Sequence, residues 1–248
     1  MKRITILLAM TVWTIGAMAQ LKRPTATVIG DINAYSYYFI VPTGSVTSSS
    51  EVHGNQFGVF GGGTRTVTPS EVISGYLMKN GYNVITFNTP ELADKTLIVS
   101  YGYTGRRSIS ALAYVSGIII QMKDAKTQEL VASFEAEGYG SDETDDILEA
   151  ILSSMDMFSY CIQPSVKNEV LEEYSKNISL RITNLTPDLI RQVVLKLSYY
   201  LDGELVHEQE VKVAVSCYPG EAERAIITRP KQFRSKKLKI QYEVVSYS

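Results

Sequence analysis

The sequence predicts an α+β chain: an antiparallel sheet with two helices on one face, followed by a small all-β immunoglobulin-like sandwich. Three observations carry that prediction. Two windows, near residues 68–79 and 142–158, repeat apolar residues at helical spacing behind capping residues. The runs around them are rich in β-branched and aromatic residues and have strand lengths. Beyond residue 165 no helical window recurs, and alternating runs are separated by turn dipeptides. At 248 residues, 45% apolar and 20% charged, the chain has the composition of a protein with a packed core.

The first nineteen residues read as an address. Met1-Lys2-Arg3 precedes an apolar run from Ile4 to Gly16, and Ala17-Met18-Ala19 has the small-x-small form a signal peptidase cleaves. The run is shorter than the roughly 20 apolar residues a spanning helix needs. Residues 1–19 are expected to be a signal peptide, with the mature chain starting at Gln20 in the periplasm, at the cell surface or outside the cell. No Cys follows the cleavage point to carry a lipid, and no later run approaches spanning length.

The first domain is expected over residues 20–164. Ala26–Ile29 and Tyr35–Val41 read as strands, and Thr43–Gly63 as a loop or loose hairpin. Thr68, Pro69 and Glu71 form a capping-box start, Val72, Ile73, Tyr76 and Leu77 an apolar stripe, and Asn80-Gly81 a left-handed stop. Tyr82–Phe87 and Thr96–Tyr103 follow as strands, with a helical turn over Pro90–Asp94 between them and Arg106-Arg107 in the next turn. Ala111–Met122 and Glu129–Glu137 form a hairpin. The second helix is expected from Asp142 to Phe158, capped by Ser141, with an acidic first turn that suits the helix dipole.

The second domain is expected over residues 165–248. Ser165–Lys176 reads as a polar linker, followed by strands at Ile178–Ile182, Arg191–Leu201, Leu205–Ser216, Ala222–Thr228 and Leu238–Tyr247. Asp202-Gly203 is a two-residue hairpin signal, and Tyr218-Pro219-Gly220 marks another turn. Charge divides unevenly: Gln20–Pro164 holds 9 basic and 15 acidic residues, Ser165–Ser248 13 and 11. That step is consistent with two units.

Several segments resemble a known kind of protein. Tyr35–Gly44 before a Ser/Gly loop, Ser74–Gly81, Glu91–Val99 leading to Gly105-Arg106-Arg107, and Ala136–Ser141 before the acidic helix start resemble an uncharacterised family of exported two-domain proteins from Gram-negative, gut-commensal type bacteria. The likeness covers about Ala26 to Phe158. Ile178–Thr186, the hairpin after it and Pro219-Gly220 look like FxLYD-type sandwich modules, with Tyr200-Leu201-Asp202-Gly203 the nearest segment to their signature. The resemblance implies an exported compartment and this fold, and no catalytic residues.

Candidate sites are few. Cys161 and Cys217 admit a disulfide in an oxidising compartment, or two buried free thiols. Arg229, Lys231, Arg234, Lys236, Lys237 and Lys239 put six cations in eleven residues; they read as a patch for an anionic glycan or lipid headgroup, or as solvated edge-strand gatekeepers. Phe57 and Phe60, in the Gly/Ser loop, are candidate binding-loop contacts. His53 and His207 fit no metal pattern, and Glu135 and Glu137 share a strand face without a defined cleft. No cofactor, no catalytic set and no nucleic-acid partner are expected. The function reads as exported binding or envelope accessory, with an envelope protein or anionic headgroup as partner. A hydrolase site assembled in space and a structural surface component are the two alternatives.

Overall fold

The computed structural model describes residues 21–49, 54–55, 58–59, 64–110, 113–234 and 238–248. The expected signal peptide lies outside them. Two compact units divide between Phe158 and Ser159, six residues before the division the sequence suggests. The chain is mostly strand, with two α-helices and several sheets among the described residues, which is an α+β composition.

The first unit contains β1 (Thr25–Val28), β2 (Tyr37–Ile40), β3 (Val46–Ser49), β4 (Gly54–Asn55), β5 (Gly58–Val59), β6 (Thr64–Val67), α1 (Pro69–Lys79), β7 (Asn83–Ile85), β8 (Thr96–Ser110), β9 (Ala113–Asp124), β10 (Leu130–Gly138) and α2 (Glu143–Ile162), the last turn of α2 lying past the division. Its main sheet has the order β1-β10-β9-β8-β2-β7. The pairs from β1 to β8 are antiparallel, but β2 is parallel to both β7 and β8. The sheet is therefore mixed rather than antiparallel throughout. Parallel neighbours need a crossover, and the path from β2 through α1 to β7 supplies one. β3 and β6 pair separately, so the Ser/Gly segment is framed by hairpin arms.

Helix α1 buries Ile73 and Leu77 completely. Its capping box does not form: Thr68 makes no side-chain cap bond, and its hydroxyl meets Ser45 instead. Thr43 takes over, its hydroxyl accepting the Ser70 N–H at 3.0 Å. The stop is as expected. Gly81 sits at φ 83°, and the N–H groups of Gly81 and Tyr82 reach back to the Met78 and Leu77 carbonyls. Phe158 of α2 meets Tyr38 and Phe134 edge to face, at ring centroids 5.9 and 5.8 Å apart.

The second unit has β11 (Ser165–Glu173), β12 (Asn177–Leu185), β13 (Ile190–Leu201), β14 (Glu204–Cys217), β15 (Ala222–Thr228) and β16 (Lys239–Tyr247) in two three-stranded sheets, ordered β11-β12-β15 and β14-β13-β16. All its pairs are antiparallel. Ser165–Glu173 is a strand, not a linker. It is an edge strand whose side chains are mostly solvated, which hides the apolar alternation. One buried cluster draws Ile178, Leu180 and Ile182 from the first sheet and Val193, Leu195, Leu197 and Tyr199 from the second. Asp202 and Gly203 adopt φ 52° and 91°, the positive values the tight hairpin requires.

Candidate functional site

The longest hairpin of the first unit, β8–β9, outruns its neighbours. β2 accompanies β8 only from Thr96 to Val99, whereas β9 pairs with it as far as Ser110. On the other side β10 ends opposite Ser116. Arg106 and Arg107 thus lie within β8, not in a turn after it. The ladder shifts register between Tyr103 and Gly105, where Gly105 takes φ 119°, and the strand continues past a point that reads as a stop.

Beside this hairpin, β10 turns into α2 through Gly138-Tyr139-Gly140, pressed against the helix. A Cβ on Gly138 would stand 1.8 Å from the Asp146 carbonyl oxygen, and one on Gly140 2.4 Å from the Asp145 Cβ. The helix cap is Asp142 rather than Ser141: one Asp142 carboxylate oxygen accepts the Thr144 and Asp145 N–H groups at 2.9 and 3.0 Å. Ser141 donates its hydroxyl to Asp145 instead. Asp146 is buried. It accepts the Gly140 N–H at 2.6 Å and the Ser116 hydroxyl at 3.4 Å, with the Arg106 guanidinium 4.0 Å away. Burial pushes its carboxyl above the ordinary carboxylate range, while Gly140, Arg106 and Ser116 pull the other way.

Three further carboxylates near the corner, Glu137, Asp145 and Glu149, are engaged. Arg107 donates two bonds to Glu137, at 2.8 and 2.6 Å, and these hold that carboxyl below its usual range. Arg65 meets Asp145 at 2.8 Å, and Glu149 accepts the Tyr139 N–H at 2.9 Å. Glu135 and Glu137 therefore do not form an acid–base pair, since one of the two is locked to an arginine. Among the described residues no cluster of His, Cys, Asp and Glu is arranged to hold a metal.

What this corner presents outward is aromatic and cationic. Tyr103, Tyr114 and Tyr139 are each about half exposed. The Arg106 guanidinium lies over the Tyr114 ring, 4.7 Å from its centroid. Tyr and Arg are the side chains that dominate interface energetics. The sequence does carry a signal for this surface: the alternation of Tyr101 and Tyr103 runs straight into Arg106, and Gly-Tyr-Gly precedes the acidic helix. Because β8 runs on to Ser110, Tyr103 and Arg106 belong to one strand.

The other sequence candidates do not converge here. Arg229 is buried and turned inward, its guanidinium on Glu173 at 3.2 Å and on the Tyr174 carbonyl at 3.4 Å. It is an internal cation and not part of a docking patch. Arg234 is half-buried and donates to the Arg229 carbonyl, while Lys231 and Lys239 are exposed. Lys236, Lys237, Phe57, Phe60 and His53 lie outside the described residues. Cys161 and Cys217 are both free thiols in the second unit, with no bridge between them. Burial pushes Cys161 up to about 11, and Cys217 points at the Glu221 carbonyl at 3.0 Å. His207 packs against Tyr199 and Phe233. A groove of about 420 Å³ lies between α1 and the β2/β7 edge; Glu71 is the one ionisable side chain among the described residues lining it.

The sequence matches no protein-family model and no curated relative. Among solved structures it is similar to a dodecameric PelC variant from Paraburkholderia phytofirmans, at 11% identity over 54% of this chain and 96% of that chain, with a TM-score of 0.33. At that score the likeness bears on neither fold detail nor function. Among the described residues no helix is long and apolar enough to cross a membrane.

Proposed function

We propose that the chain is an exported, non-enzymatic binding protein of the cell envelope, of the kind its resemblance to Gram-negative two-domain proteins implies. Residues 1–19 direct export. The first unit sets both helices on one face of its sheet and binds through the end of the β8–β9 hairpin. The second is an immunoglobulin-like sandwich that serves as a docking module. One observation supports this reading most directly: Arg106 lies stacked on Tyr114, Tyr103 and Tyr139 are also exposed, and Glu137, Asp145 and Asp146 are engaged by hydrogen bonds and ion pairs. Such a surface suits recognition, whereas hydrolysis needs convergent, available acid and base groups. The partner is an envelope protein or an anionic glycan or lipid headgroup, met by the cation of Arg106.

The test is cell fractionation with amino-terminal sequencing, comparing the natural chain with the double variant Arg106→Glu, Tyr114→Ala. The natural chain starts at Gln20 and stays with the envelope through a low-salt wash. The double variant keeps its circular dichroism spectrum but moves to the soluble exported fraction. Recovery of Met1 from the cytosol, or equal retention of both proteins, overturns the reading.

A further inference from the structure

We infer that the open edge of β8 accepts an extended peptide segment as an added strand, one carrying an acidic side chain for Arg106 and a basic one for Glu143. The inference rests on the binding reading above and names the occupant of that same surface. The Lys95 carbonyl accepts the Ser36 N–H at 3.0 Å and the Val99 carbonyl accepts the Val41 N–H at 2.9 Å, so these odd-numbered positions face β2. The Thr96 carbonyl faces the other way, accepting from Ala125 at 3.0 Å. Strand alternation then turns the N–H and C=O groups of Tyr101 and Tyr103 toward the β2 side. β2 has ended by that point, and from Ser100 to Tyr103 the paired strand among the described residues is β9 alone.

An exposed ladder of unpaired backbone groups is a template for another strand, and side chains beside it set which strand fits. Here both charges flanking the edge are underused. The nearest carboxylate to Arg106, Asp146, is 4.0 Å away, beyond hydrogen-bond reach. Glu143 accepts only the Tyr103 hydroxyl, at a long 3.3 Å. The buried Tyr101 hydroxyl has no partner. A guest strand with an acid and a base completes both charges. A second copy of the same edge, paired antiparallel about its centre, would instead bring two Arg106 side chains together, so the guest is a peptide of different sequence.

The test pans a displayed library of random dodecapeptides on the full chain, then follows amide hydrogen exchange with the selected peptides bound. The Tyr101 and Tyr103 amides exchange freely in the unbound chain and become protected in the complex. Arg106→Glu weakens binding about tenfold or more, as loss and reversal of a charge-assisted contact should, and N-methylation of alternate peptide amides abolishes it. Protection of those two amides before peptide is added, or selected peptides that leave them exchanging, overturns the inference. If binding depends on Arg106 and Tyr114 yet leaves the amides unprotected, strand addition falls while the surface reading stands. Protection of the amides in a chain that remains cytosolic has the opposite meaning: strand addition holds and export fails.

Discussion

The two units differ in where their polar groups gather. In the second unit the ion pairs Arg181–Glu169, Lys196–Glu208 and Arg224–Glu172 sit on the outside, and the shared core is apolar. Its buried Asn184 closes a turn, with the side-chain N–H groups on the Asp188 and Cys217 carbonyls and the oxygen accepting from Thr186. The first unit instead buries Ser116, Thr144 and Asp146 together at one end of its sheet. That end is where β8 runs on past β2 and where Tyr103, Tyr114 and Tyr139 stay exposed. The second unit bonds its buried Asn184 and Arg229 to partners distant in sequence, Cys217, Tyr174 and Glu173. A unit organised around a surface carries a polar corner beneath it, at a cost in stability that is tolerated when the corner holds the surface in place.

The largest break in that contrast should come from Gly138→Ala. The added methyl would overlap the Asp146 carbonyl and approach the Ala150 N–H at 2.6 Å, and both are helix backbone that cannot swing aside. We expect a loss of about 3 kcal/mol or more, confined to the first unit. Calorimetry resolving the two units checks it. An unchanged transition for the first unit would mean that the β10–α2 corner is loose and does not brace the surface.

A smaller effect sharpens the picture of the second unit. Arg229 is 7% exposed and its Nε has no partner, so its burial is incompletely compensated. Arg229→Ala leaves a hole and strands Glu173, although Glu173 is exposed enough to rehydrate; the expected loss is about 2 kcal/mol. Arg229→Met keeps the stem and drops the charge, and should cost less than half as much. Urea unfolding of both variants decides it. Equal losses would mean that the charge, not the packing, is what the site requires.

Residue-level patterns explain which parts of this architecture are legible in sequence. Both helices are, because Ile73 with Leu77 and Ile147 with Ile151 repeat on one face. The β13–β14 hairpin is, because Asp202-Gly203 admits few other conformations. The strand Ser165–Glu173 is not, since Lys167, Glu169, Glu172 and Glu173 face water at a sheet edge and mimic a linker. The parallel placement of β2 is not, since β7 has three residues and strand order leaves no local mark. Arg229 sits in a run of cations, and nothing local separates the one that folds inward from those that do not. The candidate surface combines both difficulties: its residues are visible one by one, but the register shift at Gly105 that brings them together is a property of the ladder.

The smallest predicted effect concerns the start of α1, where a local signal is present and the structure uses another residue. Thr68 is the residue the capping-box pattern selects, yet its hydroxyl turns to Ser45 at 2.9 Å. Thr43, from the loop after β2, accepts the Ser70 N–H and also contacts the Ser70 hydroxyl at 3.2 Å. The helix is thus capped by a distant segment, and the cap also pins the chain leaving β2. Thr43→Ala should cost about 1 kcal/mol, the usual loss for an N-terminal cap, while Thr68→Ala should cost a few tenths. Chemical denaturation of the two variants side by side gives the answer. If Thr68→Ala is the costlier change, the helix is capped locally and the first unit is less dependent on long-range contacts than its hydrogen bonds indicate.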